Sequence, residues 1–116
     1  MKKTRSEIKA EPTFESIFNA LSDRASKCSF PNGFFATQIT LKGRLEFAPL
    51  YVRVEDNKAE VAPYEYNNAS FYIDADTDAF TAVLNGDAKL TDMIAEGQIE
   101  INGDASKAVL FFGLLF

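Results

Sequence analysis

Gly97-Gln98-Ile99-Glu100-Ile101-Asn102-Gly103-Asp104 is the stretch from which the rest of the chain can be read. Ile99 and Ile101 alternate with Gln98, Glu100 and Asn102, the period-two pattern of a half-buried strand. Gly97 and Gly103 bracket that strand at turns, where a positive φ or a close backbone approach is wanted. Asp104 then suits a helix start, because its carboxylate accepts hydrogen bonds from first-turn amides and meets the positive end of the dipole. From Ala108 the sequence runs Ala-Val-Leu-Phe-Phe-Gly-Leu-Leu-Phe to Phe116 without a polar side chain. A helix that is apolar all round must be covered all round. One side can pack on a sheet; the other calls for more protein, a bound ligand or a second chain. Gly113 weakens this helix by about 1 kcal/mol relative to Ala.

Upstream of that stretch, Ser70 to Asp74 reads as a short strand around Phe71 and Ile73. Asp76 is a good N-cap for a helix carrying Phe80, Val83 and Leu84, closed by Asn85-Gly86. A second short helix presents Leu90, Met93 and Ile94. Nearer the start, Glu11 and Pro12 are expected to open a helix whose stripe is Phe14, Ile17, Phe18, Leu21, Ala25 and Cys28. Pro31-Asn32-Gly33 turns the chain into strands. In Phe34 to Leu41, the residues Phe35, Thr37, Ile39 and Leu41 point one way. Lys42-Gly43 is read as a turn, followed by Leu45 and Phe47 on the inward side of the next strand. Pro49 is expected to interrupt that ladder or mark a bulge. Leu50, Val52 and Val54 continue it, Asp56-Asn57 turns it, and Ala59 to Ala62 returns toward an edge at Pro63.

Length and composition narrow the function. With 116 residues the chain makes one domain, read as residues 11–116 behind a disordered basic tail over 1–10. Eleven Phe and four Tyr without Trp make the interior unusually rich in Phe. The absence of His excludes Cys-His and Ser-His-Asp mechanisms and His metal sites. Asp74-x-Asp76-x-Asp78 begins like a calcium loop, but Ala79 replaces its sixth-position Gly and Asn85 its bidentate Glu. No catalytic residue, metal or cofactor is therefore expected. A single Cys28 forms no intrachain disulfide. Net charge is −5, and beyond residue 54 only Lys58, Lys89 and Lys107 face twelve acids, so no basic stripe serves nucleic acid. Lys2, Lys3, Arg5 and Lys9 permit at most transient membrane contact. No apolar run reaches the roughly 20 residues of a bilayer span, and no signal sequence is read, so the expected location is cytoplasmic.

The order of features from Phe71-Tyr72-Ile73-Asp74 through Asn85-Gly86, Leu90 to Ala95, Gly97 to Asp104 and Val109 to Leu115 resembles the sterol carrier protein type 2 (sterol-transfer) domain family. The upstream helix and three strands agree in order, so the likeness covers about residues 12–116. The resemblance implies an α+β fold: a five-stranded, mainly antiparallel sheet with helices covering one face and an apolar tunnel between the layers. It also implies a lipid ligand, whether sterol, fatty acyl chain, acyl-CoA or phospholipid. Gln98 and Glu100 stand where the family carries basic residues, and Leu90 where it carries Pro. The fifth strand thus lacks the charge that acyl-CoA phosphate binding would use.

The apolar positions expected to face the layer between sheet and helices are Phe35, Ile39, Leu45, Phe47, Phe80, Val83, Leu84, Met93, Ile94, Ile99, Ile101, Val109, Phe112 and Leu115. Periodicity alone does not distinguish a filled core from a hollow one; the resemblance favours a ligand cavity lined by these residues. The resulting expectation is non-catalytic binding or transfer of a hydrophobic small molecule, gated by the C-terminal helix. The alternative is an interaction module with a solid core, in which that helix buries against another chain or makes a homodimer.

Overall fold

The computed structural model describes residues 12–30 and 33–116. The expected basic tail and the Pro31-Asn32 part of the first turn lie outside them. The elements run α1 (Phe14–Lys27), β1 (Phe34–Gly43), β2 (Glu46–Glu55), β3 (Lys58–Ala62), β4 (Phe71–Asp76), α2 (Thr77–Leu84), α3 (Leu90–Ala95), β5 (Ile99–Gly103) and α4 (Ala105–Leu115).

The first helix opens later than Pro12, and Glu11 lies outside the described residues. Thr13 is its cap: the Thr13 hydroxyl accepts from the Ser16 amide and the Ser16 hydroxyl accepts from the Thr13 amide, both at 3.0 Å. Two otherwise unpaired donors are satisfied reciprocally, which makes this position a better start than the preceding proline. Ile17, Leu21 and Ala25, four residues apart, form the buried stripe of α1.

The strands form one sheet in the order β3-β2-β1-β4-β5. β1 and β4 are parallel; the other neighbours are antiparallel. A parallel pair requires a crossover. Here the 63–70 segment makes it, tied to β1 by the Tyr66 amide donating to Gln38 Oε1 and the Ser70 amide donating to the Ala36 carbonyl. α1 packs toward β3 and α4, α2 toward β1 and β4, and α4 toward β4. Phe35, Thr37, Ile39 and Leu41 of β1 lie on the helix-covered side, beside Val54, Val52 and Leu50 of β2 and Phe71, Ile73 and Ala75 of β4, and all of these are buried.

The β1–β2 hairpin corrects three expectations. Pairing runs unbroken from Phe34↔Glu55 to Gly43↔Glu46, so Pro49, opposite Thr40, makes no bulge. Proline is tolerated there because β3 reaches only the Tyr51↔Ala62 pair, leaving β2 an edge on that side at position 49. The reversal falls at Arg44-Leu45 rather than Lys42-Gly43. Without a bulge, strand parity places Phe47 with Pro49, Tyr51 and Arg53 on the side away from the helices. Phe47 is accordingly 60% exposed, not inward-facing, and Leu45 sits half-buried in the turn.

Between α4 and the sheet the phenylalanines pack on one another. Phe111 meets Phe71 at 5.7 Å and Phe35 at 6.5 Å between ring centroids, and Phe116 bridges Phe112 at 5.0 Å and Phe80 at 5.6 Å. Offset and edge-to-face arrangements of this kind add about 0.5–1.5 kcal/mol per pair beyond burial. The middle of the layer is thus occupied by rings.

Candidate functional site

The turn from β5 into α4 is set by a contact that only glycine permits. Gly103 pairs with Phe71 at φ +122°, and a Cβ there would lie 2.7 Å from both Phe71 Cα and the Ser70 carbonyl oxygen. The Asp104 amide donates to the same Ser70 carbonyl at 2.9 Å, locking the turn to the start of β4. The Asp104 carboxylate then caps α4, accepting from the Ser106 amide at 3.1 Å, the Ser106 hydroxyl at 2.7 Å and the Lys107 amide at 3.2 Å. These bonds, the Ser106 hydroxyl foremost, hold the carboxyl below its ordinary range. At the other end of β5, the Gly97 amide donates to the Ile94 carbonyl and the Gln98 amide to the Met93 carbonyl, closing α3 and aiming the chain into the strand.

α3, β5 and α4 thereby enclose a groove of about 290 Å³ lined by Leu90, Ile94, Ile101, Ala108, Val109 and Phe112. All six side chains are apolar. Val109 is 74% exposed and Ile94 42% exposed, so apolar surface faces water at its rim. A larger opening of about 530 Å³ lies between α1 and α2, but Asp78, Thr81, Asn85 and Asp87 share its lining. A third, of about 230 Å³, is bordered by Lys42, Asp74, Asp76 and Glu100. Ligand sites are mostly apolar concavities with few polar groups, and the α3–β5–α4 groove fits that description best.

The sequence-predicted residues divide three ways. Ile94, Ile101, Val109 and Phe112 come together in the groove. Phe35, Ile39, Phe80, Val83, Leu84, Ile99 and Leu115 enter the closed core, and Met93 and Leu45 each pack half-buried at its margin. Phe47 turns away from both. The groove also contains Leu90 and Ala108, which stand one helical turn from Ile94 and Phe112; that spacing was the available signal.

Arg24 carried no such signal. From α1 its guanidinium donates to the Leu115 carbonyl at 2.9 Å and to the Leu84 carbonyl, the last residues of α4 and α2, and lies 5.8 Å from the Phe116 ring centre. A cation is well placed at two helix C-termini, where unpaired carbonyls and the negative ends of both dipoles converge. Cys28 adds a thiol hydrogen bond to the Leu114 carbonyl at 3.0 Å. α1 therefore holds the far end of α4.

The acidic run of the sequence disperses. Asp74 approaches Lys42 at 3.9 Å, Asp76 caps α2 by accepting from the Ala79 amide, and Asp78 pairs with Arg44 at 2.9 Å. The Arg44 hydrogen bond keeps Asp78 below the usual carboxylate range. Among the described residues no group of three His, Cys, Asp or Glu is arranged to hold a metal ion, and no helix is long and apolar enough to cross a membrane. Tyr51 and Tyr66 pack edge to face at 5.0 Å; Tyr51 and Tyr72 belong to the sheet face away from the helices.

Comparison with known proteins agrees with this architecture. Residues 14–116 match the SCP-2 sterol transfer family. Palmitated SCP2L2 from Aedes aegypti is similar in structure, with a TM-score of 0.73 and 15% identity, covering 88% of this chain and 93% of that one. The apo form of sterol carrier protein 2 from Yarrowia lipolytica gives 0.65 and 15%, covering 92% and 93%. The stereoselective inverting sec-alkylsulfatase Pisa1 from Pseudomonas sp. gives 0.67 and 16%, covering 90% of this chain but 16% of that one, so the same fold there occupies a small part of a larger protein. At these identities the structural likeness shows the fold alone. No curated protein matches the chain in sequence.

Proposed function

This chain belongs to the SCP-2 sterol transfer family, and we propose from that premise that it binds or transfers an apolar lipid without catalysing a reaction on it. The ligand is of the sterol, fatty acyl or phospholipid class, admitted through the α3–β5–α4 groove. The observation that carries this reading is the groove itself: six apolar side chains, two of them exposed, beside a helix with no polar residue after Lys107. Removing such surface from water is worth about 25 cal/mol per Å², less the cost of ordering the ligand. α4 serves as the gate, its far end held by Arg24 and Cys28. Ring packing closes the layer, and withdrawal of Phe111 and Phe112 opens the tunnel. The palmitated SCP2L2 of Aedes aegypti carries one member of this ligand class.

Native mass spectrometry of the purified protein is expected to show co-purifying lipid, and a fluorescent fatty acid to bind and be displaced by unlabelled lipid. Val109→Asp, placed on an exposed side chain, should weaken that binding at least tenfold with the fold intact. Absence of both lipid and displacement would remove the proposal.

The exposed Val109 and Ile94 also favour a second reading, a homodimer through α4 around a solid core. Light scattering separates the two: a wild-type dimer that Val109→Asp abolishes, in a protein that binds no lipid before or after the substitution, supports the second.

A further inference from the structure

Three polar side chains are buried among the described residues: Thr37, Thr40 and Thr77. Two are satisfied. Thr40 Oγ1 accepts from Gln38 Nε2 at 3.2 Å, and Thr77 Oγ1 donates to the Lys42 carbonyl at 2.5 Å. Thr37 is fully buried, and its hydroxyl has no hydrogen-bond partner among the described residues. Leaving a buried hydroxyl unpaired costs about 1–3 kcal/mol, and valine has nearly the same shape without that cost. Such a group in a native core calls for an explanation.

Its position supplies one. Thr37 lies at the centre of the sheet, on the helix-covered face, flanked by Phe35 and Ile39 along β1, by Val52 on β2 and by Phe71 on β4. Phe111 of α4 contacts both Phe35 and Phe71, the rings on two sides of Thr37. Phe111 thus packs on both of the rings that flank Thr37 on β1 and β4, and movement of α4 away from those rings would open the layer beside the hydroxyl.

We infer that Thr37 is the polar anchor of the lipid site, pairing with a single uncharged hydroxyl or carbonyl on the ligand. This deepens the lipid-binding reading and rests on it. A hydroxyl both donates and accepts, so it satisfies an alcohol or a carbonyl equally well. A carboxylate or phosphate is disfavoured, because none of the flanking side chains carries a positive charge and an unpaired buried anion is costly. The ligand class is therefore a neutral lipid with one polar group, such as a long-chain alcohol, an aldehyde or a sterol.

The test compares tetradecanol, tetradecane and tetradecanoate as displacers of a fluorescent apolar probe, on the wild-type chain and on Thr37→Val and Thr37→Ser at pH 8. Wild type and Thr37→Ser should prefer the alcohol over the alkane. Thr37→Val should lose roughly 3- to 10-fold of that preference, the worth of one hydrogen bond, while binding the alkane as well as wild type. An unchanged alcohol-to-alkane ratio in Thr37→Val overturns this inference alone, as does tetradecanoate outcompeting the alcohol on wild type. Displacement by none of the three overturns the lipid-binding reading together with it. Urea unfolding of Thr37→Val, expected to match or exceed wild type, verifies that the variant is folded.

Discussion

Replacing Phe111 by alanine tests whether the ring layer is what closes α4 on the sheet. Phe111 is fully buried and meets four other rings: Phe35, Phe71, Phe112 and Phe116. Truncating a buried Phe costs about 3–5 kcal/mol, a transfer term plus a term for the cavity left behind. The ring contacts place this site at the upper end, since each favourable aromatic pair adds about 0.5–1.5 kcal/mol. A domain of this size is stable by on the order of 5–15 kcal/mol, so the variant should remain folded but weakened. In urea, with a slope of about 2 kcal/mol per molar, a loss of about 4 kcal/mol lowers the midpoint by about 2 M. Ligand exchange, followed by stopped-flow release of a fluorescent apolar probe, should accelerate in the same variant because the gate has lost its main contact. A midpoint within about 0.5 M of wild type would refute the reasoning, since the rings would then not be packed as described. Destabilisation with unchanged exchange would leave the packing standing and remove α4 as the gate.

Three further outcomes follow from particular positions. Gly103→Ala should be destabilised by at least about 1–3 kcal/mol, because it combines a left-handed φ with a backbone clash at Phe71 and Ser70; an unchanged thermal midpoint would contradict that geometry. Gly113→Ala has open space around its new methyl group and should gain up to about 1 kcal/mol, a rise of roughly 3–6 °C in melting temperature; a fall would mean that α4 is not helical there. Asp104 has a folded-state pKa below its unfolded value, so its contribution is present above the unfolded pKa of about 3.9 and is lost as pH falls through the lower folded value. Asp104→Asn should therefore melt below wild type at pH 7 and approach it by pH 2, as measured by circular dichroism; a gap independent of pH would show that the carboxylate charge is irrelevant.

Much of this protein was legible along the chain because its signals are local. Asp76 and Asp104 announce helix starts through short-range hydrogen bonds, and the alternation of Ile99 and Ile101 between Gly97 and Gly103 marks a strand and its turns. The order of helices and strands followed from those marks, while the five-stranded α+β sheet was implied by the family resemblance that this order carries. Tertiary structure decided what depends on partners distant in sequence. Pro49 reads as a ladder break until β3 is seen to end beside it, and the unbroken register then sends Phe47 to the opposite face. Periodicity says which way a side chain points but not what stands across from it, so Phe111 packing on Phe35 and Phe71, and Arg24 joining the ends of α2 and α4, emerge only when separate segments meet. The groove is of the same kind: its six apolar residues come from three elements, and their enclosing a space rather than filling it is a matter of distances between those elements.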